Sequence, residues 1–563
     1  MSRPKKIFTC DAETDPFLHG RVPKPFMWGL YDGKTFRRYD STDDFIAGII
    51  DLNCILYAHN GGKFDFIYLI PYIKQTRAQV INGRIVSMFL GRAELRDSYA
   101  IIPEPLRKIG AKKEIEYWKL EADERKNYDT EIEEYLKTDC VVLYDAVTRY
   151  RSIAGKHKTI ASNALAFARK LGIDPGKTSH SFDREYRKFF FGGRCECFRP
   201  GTHTNIHMLD IHSAYPFAMS HLHATGTRFY RRSDLKTLSH EQIQRSFIEL
   251  LCFSKGAFPI RSERGELSFP HAEGVYNITG WEYLAAKEFD LIADEHILTV
   301  RYCEDTIDFK PYIDHWFAYK DKYSAKDKDG KPLDPMNYTI GKIMQNSLYG
   351  KLAQDPTRYY DYRFAAPGTH LCTATEFRNG KCITCGEKDT EHGWNPYLDN
   401  PEIEIHRREA LWQLKYKYGI QWEGQKIYNN VATGASITGF TRAHLLRAAH
   451  AIGRKHIIYC DTDSLICDSN ADISRVPISP NLGDWGYDGK GLIGHFAGKK
   501  LYGIKLESGG TKIASKGSRL NFETLADIIN GKTAVWKNDP PSFRIDGKAK
   551  FVHREIRATA LNL

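Results

Sequence analysis

Apolar and polar positions change period several times along the chain. KKIFTCDAET and CILYAHNGG, both within the first 60 residues or so, are short apolar runs closed by acids or glycines, a pattern that predicts strands. EIEEYLKTDCVVLYDAV instead spaces Ile132, Leu136, Cys140 and Leu143 at helical intervals. Their alternation over residues 5–150 predicts an α/β domain with a mixed or parallel sheet. A charged helical stretch follows to about residue 188, and a strand-rich region opens at FFFGGRCECF. Residues 310–326 predict a helix with Tyr312, Trp316, Tyr319 and Tyr323 on one stripe and Lys310, Lys320, Lys322 and Lys326 on the other face. SAKDKDGKPLDP predicts a loop, and TIGKIMQNSLYGKLA a second helix. Residues 354–410 are irregular and polar, with HGWNPYLDNP as a loop. Strand signals return at 456–467 and 500–514, and NFETLADII predicts one helix near the C-terminus.

Length then sets the scale: 563 residues exceed a single core and suggest three or four domains. No window approaches 18 uninterrupted apolar residues, so no membrane span is expected, and MSRPKKIFTCDAET is not a signal peptide. The 12 cysteines are scattered, several inside apolar runs, as in a reduced cytosolic protein. Lysine and arginine outnumber aspartate and glutamate 81 to 70, which favours a polyanionic partner, and 32 tyrosines suit stacking against unpaired bases.

The chemistry lies in two carboxylate groups. Asp11 and Glu13 end one predicted strand on the same face; Asp65 follows the glycine pair of HNGGKFDF; Tyr135 and Asp139 share a helix face. Four acids from three places repel one another unless divalent cations neutralise them, and hard oxygen donors suit Mg2+ or Mn2+. Such a pair of ions activates water for phosphodiester hydrolysis, with Tyr135 orienting the water. In YCDTDS, Asp461 and Asp463 stand between two apolar runs, where a hairpin tip would project them from a sheet. MLDIHSAYP supplies a third acid, Asp210. Two metals on this trio would activate a primer hydroxyl and neutralise a triphosphate. KIMQNSLYG places Lys342, Asn346 and Tyr349 on one helix face to grip the nucleotide, and Tyr215 would floor the sugar and exclude a 2′-hydroxyl.

Together these segments resemble the B-family DNA polymerases. DIHSAYP, KIMQNSLYG and YCDTDS are similar to the three polymerase motifs in order, and Lys500-Leu501-Tyr502 to the K-x-Y motif that steadies the primer terminus. Asp11, Glu13, Asp65 and Asp139 match the ligands of the family's 3′–5′ exonuclease. DAETDPF, PKPFMWG and YAHNGGKFDF resemble the protein-primed branch of linear-genome phages, in its tectivirus-like group. The resemblance implies an α/β and α+β multidomain chain: an RNase-H-like exonuclease domain and a right-hand polymerase of palm, fingers and thumb with terminal-protein-region insertions.

It further implies that Thr14, Asn60, Phe64, Ser98 and Tyr99, joined by His59, hold single-stranded DNA, with Tyr99 replacing the usual leucine. A lysine assisting the exonuclease is expected among Lys108, Lys112 and Lys113. Phe190-Phe191-Gly192-Gly193 stands where the family has Y-x-G-G. Ser347, Gly350, Thr462 and Ser464 match positions near template and primer, and Ser213 joins the nucleotide site. The domains expected are exonuclease 1–155, a helical connection 156–189, palm 190–221 and 431–520, a first insertion 222–318, fingers 319–353, a second insertion 354–430 and thumb 521–563. Implied partners are template and primer DNA, dNTPs and a terminal protein, with two Mg2+ or Mn2+ ions per site. The chain is expected in the host cytoplasm as a monomer or as a 1:1 heterodimer with the terminal protein. Cys372, Cys382, Cys385 and His392 contain one C-x2-C pair, and unpaired thiols are favoured there over structural zinc. The competing readings are a B-family enzyme using nucleic-acid primers only, which predicts no long insertion between Asp210 and Lys342, and a DNA-binding protein with degenerate sites, which predicts a lost carboxylate.

Overall fold

The computed structural model describes residues 5–16, 23–72, 75–81, 83–110, 113–263, 265–328, 330–355, 360–365, 377–378, 381–382, 405–408, 411–414, 429–537, 542–543, 549–550 and 553–558. The N-terminal domain is built on an eight-stranded sheet in the order Tyr360–Ala365, Gln75–Ile81, Arg84–Leu90, Ala93–Asp97, Cys54–Ala58, Lys6–Thr14, Pro25–Tyr31, Phe36–Tyr39. Lys6–Thr14 runs parallel to Cys54–Ala58, which is parallel to Ala93–Asp97; the other neighbours are antiparallel. The sheet is covered on both faces, which is why its central strands read as continuous apolar runs. Phe45, Ile49 and Phe66 from two short helices cover one face, and Ile132, Leu136 and Cys140 of the helix Asp129–Ile153 pack beside Met27 on the other. Thr9 Oγ1 donates to the Cys140 carbonyl at 2.7 Å and fixes that helix against the central strand.

The C-terminal part is organised by a seven-stranded antiparallel sheet in the order Thr511–Ser515, Leu501–Leu506, Trp485–Gly498, Gly201–Ile211, Ser464–Asp468, Ile457–Asp461, Cys195–Cys197. The helix Val431–Ala451 is buried along most of its length. It packs Leu445, Ala448 and Ala449 against Leu209, Ile211, Leu465 and Trp485 of the sheet. Two helices, Lys310–Lys322 and Pro335–Leu352, form an adjoining hairpin. A Cβ on Gly341 would stand 2.8 Å from Lys320 Cα, so glycine there lets the two helices touch.

Between them lies a unit with its own core. Strands Phe229–Arg232, Ile292–Cys303, Ser246–Lys255 and His271–Thr279 form an antiparallel sheet, and Ile248, Leu250, Tyr276, Ile278 and Val300 pack with Ala286 of the helix Gly280–Glu288. The ribbon Leu222–Ala224 with Thr306–Asp308 closes its base. The expected boundary at 318/319 cuts the continuous helix Lys310–Lys322: that helix buries Tyr312 and Trp316 against the second helix of the hairpin and belongs with it. In the expected second insertion, Tyr360–Ala365 pairs antiparallel with Gln75–Ile81 and so extends the N-terminal sheet. Cys372, Cys385, His392, the side chain of Cys382, Lys112 and HGWNPYLDNP lie outside the described residues. After the strand Thr511–Ser515, the helix Phe522–Ile529 seats Leu525 and Ile528 on Ala497 and Leu501. Among the described residues no helix is long and apolar enough to cross a membrane.

Candidate active sites

The two acids of YCDTDS stand at a hairpin tip. Ile457, Ile458, Tyr459, Cys460 and Leu465 are buried, while Thr462 and Asp463 form the two-residue turn. Thr462 takes a left-handed φ of 59°. Asp461 pairs with Ser464, and Ser464 with Asp210 on the next strand, so three strands bring Asp210, Asp461 and Asp463 to one sheet end. Neighbouring strands lie about 4.8 Å apart, which sets the spacing of the trio. The turn is pinned by backbone bonds: Ile211 N donates to Asp463 O at 2.7 Å, and Thr462 N to Arg194 O at 2.6 Å. A Cβ on Gly193 would sit 2.4 Å from Thr462 Oγ1, so Gly193 is a close-approach position.

Burial, then Asp463, pushes the Asp210 carboxyl up to about 7. Burial also raises Asp463, with Asp461 adding to the effect. Lys500 Nζ pairs with Asp461 at 2.8 Å, and Lys500 N donates to Tyr459 Oη at 3.1 Å. Tyr502 packs on Tyr459 with ring centres 4.8 Å apart. Ser464 Oγ donates to Asp461 O. Among the described residues no three His, Cys, Asp or Glu side chains form a ready-made metal-holding group. The donor set still fits a hard divalent cation, because hard carboxylates held part-buried and mutually repelling gain most from one.

Asp210 has a pH consequence. Its carboxyl is raised from an ordinary 3.8 to about 7, so the stability linked to its protonated form is complete below about 4 and lost as pH rises through about 7. In chelator, Asp210→Asn is expected to melt with the wild type near pH 4 and above it at pH 8. Equal melting temperatures at pH 8 would contradict this.

The residues expected on the nucleotide side come from the helical hairpin and the turn after Asp210. Tyr215 stacks on Tyr349 at 3.9 Å and 15°. Asn346 Nδ2 donates to Lys342 O at 2.8 Å, and Ser347 Oγ to Ile343 O, within their helix. Gly350 faces open space. Ser213, at a left-handed φ of 57°, accepts from both Lys320 Nζ and Gln345 Nε2 at 3.1 Å. Lys320 is the residue sequence reasoning missed. Burial, with Lys342 adding, lowers its pKa, so the two ammonium groups share one site. Its one sequence signal was the spacing of four from Trp316, which sets it beside the buried stripe; the approach of Gly341 is set by tertiary packing. Charge-assisted contacts of about 1.5–3 kcal/mol each predict that Lys342→Ala or Lys320→Ala raises the nucleotide KM about ten- to hundredfold with primer KM unchanged. Steady-state kinetics varying each substrate checks this.

In the N-terminal domain, Asp11 and Glu13 leave the central strand just before an irregularity in pairing at Glu13/Thr14. Asp65 opens the helix Asp65–Leu69, and Asp139 comes from the long helix, one turn after Tyr135. Glu13, Asp65 and Asp139 are buried. Burial, then Asp11, pushes Asp65 well above the carboxylate range, although the Ala12 N–H opposes this; Asp65 Oδ1 is buried without a hydrogen-bond partner. Convergence is visible at two buried thiols. The Cys140 thiol, raised first by burial, is pushed up further by Asp11, Asp139 and Glu13, and Cys10 by Asp65 and Asp11.

Beside the acids, His59 Nδ1 lies 2.9 Å from Ser98 Oγ, and the His59 and Tyr99 rings are 5.7 Å apart. Phe64 meets Tyr68 edge-on, and Thr14 is buried at the strand end. Asn60, left-handed at φ 62°, accepts from Arg84 at 2.8 Å. Arg84 also lies over the Tyr99 ring at 4.5 Å and pairs with buried Asp97, which accepts from Gly62 N. Arg84 and Asp97 were missed too; only their strand positions, not their pairing, are visible in sequence. A Cβ on Gly62 would lie 1.9 Å from the Ile85 carbonyl, so the second glycine of HNGG is required sterically. Lys108 pairs with Glu104 and Lys113 with Glu134, neither of them a site acid. A cavity of about 450 Å³ joins the two halves: Lys63, Arg84 and Tyr99 line one side, Asn346, Tyr349 and Lys351 the other.

A sheet with an acidic hairpin tip, a cationic helical hairpin above it and a second acid-lined α/β domain define a right-hand polymerase carrying an exonuclease-type domain. Residues 110–410 match the family described as DNA polymerase type B, organellar and viral. The chain is 33% identical to the DNA-directed DNA polymerase of Enterobacteria phage PRD1, over 98% of each. It is 23% identical to the DNA polymerase of Bacillus phage phi29, over 89% of this chain and 86% of that one. An orthorhombic crystal form of the phi29 DNA polymerase shares the fold with a TM-score of 0.73 at 16% identity, over 99% of this chain and all of that one. The chain belongs to the organellar and viral type B DNA polymerases and is a DNA-directed DNA polymerase. The resemblance read from the motifs is borne out.

Proposed function

We propose that this polymerase copies a linear viral genome from a protein primer, by two-metal nucleotidyl transfer, and proofreads with its own 3′–5′ exonuclease in the host cytoplasm. The observation that carries the protein-primed reading is the folded unit between Asp210 and Lys342. A four-stranded sheet with a private core, set on a two-stranded stem, is more than a template-and-primer enzyme needs there.

Asp210, Asp461 and Asp463 would hold two Mg2+ or Mn2+ ions in the polymerase site, and Asp11, Glu13, Asp65 and Asp139 two in the exonuclease site. When bound, these ions lower the pKa of the attacking hydroxyl or water and neutralise phosphate charge. Lys320 and Lys342 would bind the triphosphate, and the stacked Tyr215–Tyr349 pair would floor the sugar and base. Lys500 and Tyr502 would steady the primer end beside Asp461. Tyr135 would orient the water in the exonuclease site. Thr14, His59, Asn60, Phe64, Ser98 and Tyr99 would hold the frayed strand, and the basic, ring-lined cavity suits an unpaired strand between domains. Phe190, Gly192, Gly193, Ser347, Gly350, Thr462 and Ser464 would contact template or primer. The working species would be a monomer, paired 1:1 with the terminal protein during initiation.

Purified chain, labelled dNTP, Mg2+ or Mn2+ and the terminal protein encoded beside it are expected to yield nucleotide covalently attached to that protein. Extension of a DNA primer with no such product would support priming by nucleic acid only.

A further inference from the structure

We propose that Glu282, in the unit between Asp210 and Lys342, is a positioning residue for the primer terminus, acting through Arg442 and the backbone of Phe191–Gly193 on the catalytic turn. This rests on the polymerase-site reading above.

The connection is continuous and buried. Glu282 lies in the first turn of the helix Gly280–Glu288 and is 3% exposed. One carboxylate oxygen accepts from Thr279 N at 3.1 Å and from Thr279 Oγ1 at 2.9 Å, which fixes the rotamer within its own unit. The other accepts from Arg442 Nε at 2.8 Å. Arg442, on the central palm helix, is 4% exposed. Its NH1 donates to the carbonyls of Phe191 at 2.6 Å and Gly192 at 2.8 Å. The next residue, Gly193, approaches the Thr462 side chain so closely that a Cβ would stand 2.4 Å from its Oγ1, and Arg194 O accepts from Thr462 N. Thr462 separates Asp461 from Asp463. The contact between unit and palm helix is equally tight, since a Cβ on Gly439 would lie 2.2 Å from Thr279 Oγ1.

A planar guanidinium can hold a carboxylate on one edge and two carbonyls on another. Here it converts the seating of the inserted unit into the placement of a backbone segment beside the metal-binding turn. Glu282 reaches this segment only through Arg442, whose NH1 holds the two carbonyls. Unpairing Glu282 would release one edge of Arg442 and loosen residues 191–193 without touching the triphosphate site or the exonuclease acids.

The test uses the full-length chain on primed template. Glu282→Gln is expected to raise the KM for primer-template about tenfold, with nucleotide KM, kcat and degradation of single-stranded DNA within twofold of wild type. Arg442→Lys keeps a cation for Glu282 but loses the fork to the carbonyls, and is expected to show the same primer defect; it carries the test should Glu282→Gln fail to fold. Wild-type primer KM in a folded variant, or loss of extension and degradation together, would overturn the proposal. Failure of the wild type itself to extend primers would instead overturn the polymerase-site reading.

Discussion

Asp463→Ala is expected to reduce nucleotide addition at least a thousandfold, a barrier increase of about 4 kcal/mol, while degradation of single-stranded DNA stays at the wild-type rate. Asp463 sits at the hairpin tip, its carbonyl bonded to Ile211 N and its carboxylate coupled to Asp210 and Asp461. Alanine removes a hard oxygen donor and leaves the turn's backbone bonds in place, so the loss belongs to chemistry rather than folding. Removing one acid from a repelling group relieves the fold, and the variant is expected to melt no lower than wild type in chelator. Primer extension with a labelled oligonucleotide, beside degradation of the same oligonucleotide unpaired, reads both activities. A parallel fall in both would contradict two separate centres.

The complementary loss has similar size. Asp11→Ala with Glu13→Ala is expected to abolish degradation, by at least about a thousandfold, while primer extension remains within about twofold. Both side chains leave one strand, and together with Asp65 and Asp139 they crowd the buried thiols of Cys10 and Cys140. Burial still holds the Asp65 carboxyl up in this variant, but without Asp11 it is raised less than in the wild type. Misincorporation should rise in the same variant, measurable as extension past a mismatched primer end. Unchanged degradation would remove these acids from the site.

All the candidate acids but Asp139 were legible because each sits where a buried strand or helix meets a turn, and such a position marks a charge by contrast; Asp139, inside the helix Asp129–Ile153, was read from its spacing of four from Tyr135. The hairpin tip at YCDTDS, the two helices of TIGKIMQNSLYGKLA and its partner, and the glycine turn of HNGG were readable from such local patterns, whereas the left-handed φ of Thr462 was not. Lys320 was read as a solvated face because helical spacing alone does not show that Gly341 lets the second helix press against it. Arg84 and Arg442 escaped because their partners, Asp97 and Glu282, are set by tertiary pairing. The 318/319 boundary failed on the same ground: what a helix packs against, not its sequence, decides the unit it joins. The pairing of Tyr360–Ala365 with the N-terminal sheet joins segments nearly 300 residues apart and leaves no local pattern.

The most direct measurement is a structure of the chain with primer-template, a chain-terminated primer and an incoming nucleotide in Mn2+, read by anomalous scattering. Two peaks between Asp210, Asp461 and Asp463, with the triphosphate on Lys320 and Lys342, are the predicted result. A triphosphate bound elsewhere, or no peak at the YCDTDS hairpin, would contradict the account.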